Sequence, residues 1–413
     1  MKKRAALAVL LLAAGLAALP LGGCEFMLKR EFYTSAPHSL QHGGTDISEG
    51  NVIKNYYALK DAILNTVYAG KTDETFRLNE YGGDMEKDIE NIIADIMKSD
   101  PICAYAVSSI NFEPVKILSL QEATLSITYK RGMEEVDKIE QAVNTNEFEQ
   151  KMALKMAQYQ KNSCIYIINY FDYTYDAYTR ILSSYYGEDG ASVGLESINL
   201  AFYPESGVKR IIETDVRYIN SDMVLSRKRE IIKEEASRIA SQIFLEQQIE
   251  ETGGNDGAVA RVLYDWVIDN IEYDSDAQSA AEEAKGRQIK TDEYTAYGAF
   301  AYKKAAGEGI ALAYQALCKA AGLDAYIVIG EDLNGNTSVW SLVNIEGEYY
   351  HIDAGEGIKS KVSGNDLERD AFFAISDEQM QKTKLWDVKY YTASDTMSYE
   401  ERRSEEAAAT ENV

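Results

Sequence analysis

The sequence predicts an α+β protein of two folded units, and three observations carry that reading. Apolar residues recur at helical spacing in several stretches, apolar–polar alternation marks short strands between them, and a Gly253–Gly254 pair separates the two sets. At 413 residues the chain is also too long for one typical core.

The N-terminus comes first. Lys2, Lys3 and Arg4 lead an apolar stretch from Ala5 to about Leu19, too short to span a bilayer stably, so residues 1–23 read as a signal peptide. Leu21, Gly22, Gly23 and Cys24 resemble the bacterial lipoprotein cleavage box. That resemblance implies cleavage before Cys24, lipid on this residue, and a chain tethered to the outer face of a membrane; an ordinary secretory signal with an incidental cysteine is the alternative. No later stretch approaches the roughly 18 uninterrupted apolar residues of a membrane helix. Residues 24–50 lack apolar periodicity and read as a flexible tether, in which His38 and His42 are expected to be solvated and to hold no metal.

A first unit is expected over 51–245. Val52, Tyr56, Leu59, Ile63 and Val67 form a helical stripe that stops at Gly70, and Ala123, Leu125, Ile127 and Tyr129 alternate with threonine and serine as one face of a strand. Cys164–Phe171 and Ile198–Phe202 read as further strands. A helix capped by Ser221 or Asp222 carries Ile232, Ala236, Ile239 and Ile243 along one stripe. This unit holds no chemical motif; its tyrosines, Tyr173, Tyr175 and Tyr178 among them, read as packing residues.

A second unit is expected over 250–395, opening with a helix from Asp256 to Asn270. Residues 308–321 are apolar on most sides and predict a buried central helix. Strands follow at 325–329, 339–345 and 348–353, with Glu346 and Gly347 as a tight turn, and parity places Tyr349, His351 and Asp353 on one face. Residues 396–413 lack an apolar face and are expected to be disordered.

Composition narrows function. Asp and Glu total 67 against 42 Lys and Arg, a formal charge of −25 that opposes binding to nucleic-acid phosphates. Once Cys24 is set aside, Cys103, Cys164 and Cys318 remain, too few for a disulfide framework, although Cys103 with Cys164 could form one bridge. Gly307 begins the central helix, where unpaired backbone N–H groups and a partial positive charge would activate a thiol if one were present.

The second unit resembles the transglutaminase-like superfamily, a papain-related fold. The resemblance covers about 258–390 and rests on DWVIDNIEYD, AYGAF, GEGIALAYQAL, VWSLVNIEGEYYHID and FFAISDEQM in that order. The family places a cysteine at the start of the central helix, a histidine on a following strand and an aspartate on the next. Carried over, the cysteine maps to Gly307, followed by matching Glu308 and Gly309; the histidine maps to Ser338, two before Trp340; the aspartate maps to Asp353. Gly355 and Glu356 depart from the family's pattern beyond that aspartate.

Glycine has no nucleophile and serine is no base near neutral pH, so covalent catalysis is not expected. Cys318 lies eleven residues along the helix from Gly307, about 16 Å away, and cannot substitute. The resemblance therefore implies a pseudoenzyme without metal or cofactor. Its inherited cleft (Gly307, Glu308, Ser338, Trp340, Asp353) would bind a peptide or a cell-wall peptide, with Asp353 satisfied either by Ser338 or Trp340 or by a ligand amine. Two alternatives stay open: a scaffold component of an envelope complex, and a residual hydrolase or acyl transferase using Ser338 or Ser341 with His351.

Overall fold

The computed structural model describes residues 53–117, 120–170, 177–189, 194–247, 256–283, 291–364, 369–394 and 396–411. The signal peptide, Cys24, the tether histidines, Tyr173, Tyr175 and the Gly253–Gly254 break lie outside these residues.

Helix α1 (Tyr56–Tyr68) starts at Asn55, whose side chain accepts the Ala58 N–H, and buries Leu59, Ile63 and Val67 as the stripe predicts. Strand β1 (Asp73–Leu78), helix α2 (Met85–Ser99) and a short helix α3 (Pro101–Ala106) lead into the hairpin of β2 (Val107–Ile117) and β3 (Leu120–Tyr129). Proline opens α3, where its missing N–H is no loss, and Asp100 caps it by accepting from the Cys103 N–H. The antiparallel sheet runs β1-β3-β2. Leu59, Ile63, Ile89, Ile92 and Leu125 join helices and sheet in one apolar cluster.

A second sheet runs β4-β5-β7-β6, from β4 (Glu140–Asn144), β5 (Asn162–Asn169), β6 (Leu195–Tyr203) and β7 (Arg210–Tyr218), with only the β4–β5 pair parallel. Helices α4 (Thr145–Ala157), α5 (Ala177–Asp189) and the long α6 (Asp222–Gln247) accompany it. Helix α7 (Asp256–Asn270) follows, then β8 (Glu272–Tyr273), α8 (Ser275–Glu283), α9 (Ala296–Tyr302) and β9 (Lys304–Ala305), which pairs with β8 in parallel.

The central helix α10 spans Gly307–Ala320 and is buried continuously from Gly309 to Cys318. The third sheet is antiparallel in the order β12-β11-β10-β13, from β10 (Ala325–Asp332), β11 (Thr337–Ile345), β12 (Glu348–Ile352) and β13 (Lys384–Leu385). Glu346 and Gly347 have φ of 56° and 92°, the left-handed pair that a two-residue hairpin turn requires. Val339, Val343 and Ile345 face the main core, whereas Trp340 and Leu342 face a smaller cluster closed by Ile375, Met380 and Tyr391. Helix α11 (Ala354–Val362) leaves the end of β12.

Two findings differ from the sequence reading. The boundary expected between 245 and 250 falls inside one apolar cluster, which runs from Ala142 to Tyr399 and includes Ile181 and Tyr185 of α5, Ile232, Ile239 and Ile243 of α6, and most of α10. A stripe that looks sufficient for one domain is here shared between the second sheet's helices and the central helix. The expected disordered tail contains helix α12 (Tyr399–Glu411). Tyr399 is only 2% exposed, packs edge-on against Tyr350 and donates to Glu346. Gly257 makes room for it, since a Cβ there would lie 2.2 Å from the Tyr399 ring. Among the described residues no helix is long and apolar enough to cross a membrane.

Tyr399→Ala is expected to destabilise the protein by about 3 kcal/mol, because it empties a filled aromatic site. Chemical denaturation would show this as a lower midpoint at unchanged slope; a shift under about 1 kcal/mol would mean that α12 is only loosely docked.

Candidate functional site

Gly307, Ser338 and Asp353 arrive from three elements: the first turn of α10, the start of β11, and the junction of β12 with α11. Asp353 is the N-cap of α11, its Oδ1 accepting the Glu356 N–H at 3.0 Å. Gly355 measures how closely the pieces approach. A Cβ on that residue would lie 3.3 Å from Asp353 Oδ1 and 3.7 Å from Gly307 Cα. Asp353 is thus beside the start of the central helix, and Ser338 is tied to the same place through a residue that sequence reasoning missed.

That residue is Lys384. Its Nζ donates to Ser338 Oγ at 2.8 Å and to Glu356 Oε1 at 3.0 Å, and lies 3.4 Å from Asp353 Oδ2. An ammonium has three N–H groups, and here three oxygens face it. Lys384 is 4% exposed, as is Asp353, so the pair is a buried one. Strand β13 holds Lys384 in place by pairing with the end of β10, Asp332 opposite Lys384 and Glu331 opposite Leu385.

The charges around Lys384 are coupled. Burial pushes its ammonium toward losing a proton, but Asp353 and Glu356 outweigh this and hold its pKa above the ordinary value. Burial raises the Asp353 carboxyl above its usual range, against the pull of Lys384. Burial acts on Glu356 in the same sense, but Lys384 and Lys359 hold it below its usual range. Lys359 also lies 4.4 Å from the Tyr273 ring centroid while donating to Glu356 at 3.1 Å. Two carboxylates and two ammonium groups therefore balance in one cluster, with Lys384 as its buried centre.

The space at Gly307 is open enough for a side chain. A Cβ would meet Tyr273 Oη at 3.7 Å and Gln278 Oε1 at 3.8 Å, ordinary contacts. The N-cap of α10 is Ala306, which offers no side-chain acceptor to the first N–H groups. Glu308 turns to Tyr186 of α5, whose hydroxyl donates to its Oε1, so the second sheet's helices border the site.

Trp340 lies on the same sheet face as Ser338 but directs its polar atom elsewhere. It is fully buried, packs on Trp386, and donates its indole N–H to His351 Nδ1 at 2.9 Å. Trp340 and His351 share one face of the sheet, and their polar atoms satisfy each other. His351 Nε2 then carries the proton and donates to Asp377 Oδ1 at 2.7 Å. Burial keeps the imidazole pKa below its ordinary value although Asp377 opposes this. Both ring nitrogens are occupied, Ser341 Oγ donates to the Ala311 carbonyl, and Ser338 faces Lys384. No serine–histidine pair exists among the described residues.

The three remaining cysteines are free thiols. Burial pushes Cys318 up to about 12 and Cys164 up to about 11, so neither is a thiolate at neutral pH. No cluster of His, Cys, Asp and Glu among the described residues has metal-binding geometry.

Residues 243–354, which include Gly307, Ser338 and Asp353, match the transglutaminase-like superfamily. The protein is mixed α+β with a transglutaminase-like core. No curated protein matches the chain. Among solved structures it is similar to a TGase at 14% identity and a TM-score of 0.26, over 56% of this chain and 60% of that one. A candidate cysteine protease from Cytophaga hutchinsonii is 13% identical with a TM-score of 0.24, over 39% of this chain and 62% of that one. A candidate protease from Parabacteroides distasonis is 10% identical with a TM-score of 0.20, over 70% and 60%. The chain thus spans about 60% of the length of each of these structures.

Two predictions concern the site's packing and charge. Gly307→Ala should change stability by less than about 1 kcal/mol, whereas Gly309→Ala should cost about 2 kcal/mol or more, because its Cβ would lie 2.4 Å from the Glu293 carbonyl oxygen. Equal effects in thermal unfolding would contradict the placement of α10. Lys384→Met should cost about 3–5 kcal/mol at neutral pH by leaving Asp353 buried and unpaired. The folded-state pKa of Asp353 is already raised, and losing Lys384 raises it further, so the stabilisation from its protonated form is present at low pH and lost as pH rises. The penalty of Lys384→Met should therefore be smaller at pH 4 than at pH 7, and a penalty independent of pH would refute this account.

Proposed function

We propose that this protein is a lipid-anchored, extracytoplasmic pseudoenzyme whose transglutaminase-like domain recognises peptides, cell-wall peptides among them, in the cleft beside Gly307. One observation carries the reading: the place where Gly307, Ser338 and Asp353 converge contains an ammonium held by two carboxylates and a hydroxyl, and among the described residues neither a thiol nor an imidazole. Acyl transfer through a thioester needs a nucleophile and a base that also protonates the leaving amine. A protonated lysine is neither. With nucleophile and base both missing, the loss relative to an intact triad is about 10⁶-fold.

Recognition without chemistry draws on what is left. Truncation at Gly307 and Gly355 leaves room at the start of α10, whose first N–H groups suit a peptide carbonyl or carboxylate, beside the Tyr273 hydroxyl and the half-exposed Lys359 ammonium. The relocated serine hydrolase is disfavoured by the occupied nitrogens of His351. The lipid anchor rests on Cys24 and the residues before it.

The test has two arms. Purified protein incubated with glutamine-containing peptides and a fluorescent amine should form no product, by transfer or cleavage, above buffer; turnover abolished by Asp353→Asn would overturn the pseudoenzyme reading. Titration with wall muropeptides and lysine-containing peptides should show saturable binding that Gly307→Trp weakens at least ten-fold. Binding unaffected by that substitution, or no binding at all, would remove the cleft as the site.

A further inference from the structure

We propose that Lys384 is a latch: an in-chain occupant of a primary-ammonium site formed by Ser338, Asp353 and Glu356, which closes the cleft until an ammonium carried by a ligand replaces it. The inference rests on the peptide-recognition reading above and names the ligand chemistry that the same site would take.

The acceptors define the class. Ser338 Oγ, Glu356 Oε1 and Asp353 Oδ2 surround one nitrogen at 2.8, 3.0 and 3.4 Å. Three oxygens around a point suit a primary ammonium with three N–H donors on a flexible alkyl chain. A planar guanidinium presents its donors as a fork, and a quaternary ammonium has none. A lysine or diaminopimelate side chain of a peptide fits; an arginine side chain does not.

The occupant is held differently from its acceptors. Ser338 and Asp353 belong to β11 and the β12–α11 junction, packed on the central helix, and Glu356 lies in the first turn of α11. Lys384 belongs to a two-residue edge strand with two register positions to β10, and its neighbour Leu385 is 53% exposed. Removing such a strand from a sheet edge breaks few backbone bonds, so local opening is the low-cost motion available here. Gly330 admits the latch, since a Cβ on it would lie 2.3 Å from the Leu385 carbonyl oxygen. Trp386, beside His351 at 4.7 Å between ring centroids, anchors the segment beyond the latch.

The test replaces the latch by a free amine. Thermal unfolding of the full chain carrying Lys384→Ala is measured in n-butylammonium chloride and in tetramethylammonium chloride at equal ionic strength. The variant should melt about 2 °C or more higher in the primary amine, whereas the wild type, its site occupied in cis, should show no such difference. If the variant is unfolded in buffer, the readout is the folded fraction by circular dichroism, which n-butylammonium should raise. The double variant Asp353→Asn with Lys384→Ala should lose the response. Equal behaviour of Lys384→Ala in both salts overturns the ammonium site. Lysine-containing peptides should bind Lys384→Ala at least ten-fold more tightly than wild type; equal affinity overturns the latch while peptide recognition stands. A primary-amine effect without peptide binding in either protein sinks the peptide reading and keeps the ammonium site.

Discussion

A buried carboxylate is the constraint around which this part of the molecule is arranged. Asp353 cannot leave its position, because its Oδ1 caps α11 and its backbone N–H donates to the Phe372 carbonyl. An isolated carboxylate at that depth would cost several kcal/mol, and among the described residues no imidazole meets it. The cation must therefore come from elsewhere in the sequence, and Lys384 supplies it. Much local detail follows: β13 must reach the end of β10, Gly330 must lack a side chain, and Glu356 must turn inward to share the ammonium. Each is a backbone or side-chain choice that would be arbitrary without the charge at Asp353.

The same constraint explains what the sequence did and did not make legible. Periodicity located α7, α10 and the β11–β12 hairpin, because those elements bury a stripe or alternate faces over many residues, and the Glu346–Gly347 turn announced itself by composition. Strand β13 has two residues and lies in a run of lysines and polar residues, so no periodic signal marks it. The signal that did exist was chemical: a buried aspartate with no imidazole beside it among the described residues calls for a positive charge, and the chain's own lysines are one source of it. The partner of Trp340 was illegible for the opposite reason. The spacing of Trp340 from Ser338 located the strand well, but spacing does not say which polar partner an indole finds, and its partner was His351.

The expected domain boundary was hidden by an ambiguity in amphipathic helices. The stripe of Ile232, Ala236, Ile239 and Ile243 looks alike whether α6 ends one domain or is wedged between two layers. Here the apolar cluster passes through it to the central helix, and polar contacts repeat the union. Ser183 of α5 is hydrogen-bonded to Tyr391, and Tyr186 donates to Glu308, one residue from Gly307. The second sheet and its helices are therefore part of what holds the site's geometry, so a fragment cut near residue 250 would expose apolar surface from α10 and lose the Tyr186–Glu308 contact.

Two polar arrangements on one sheet face divide the labour that a catalytic site would combine. Around Lys384 a full positive charge is held against carboxylates; around His351 an imidazole is kept neutral by burial and fixed as one tautomer between an indole and Asp377. A general base needs an imidazole that can gain and return a proton near neutral pH while facing a nucleophile. His351 faces aromatic rings instead, with Trp386 packed edge-on against it. Trp386 also follows the Lys384–Leu385 strand, so the neutral arrangement clamps one end of the segment whose other end carries the charge. His351 thus acts by position: held neutral between Trp340 and Asp377, it offers a fixed surface on which Trp386, and with it the end of the Lys384–Leu385 segment, is seated.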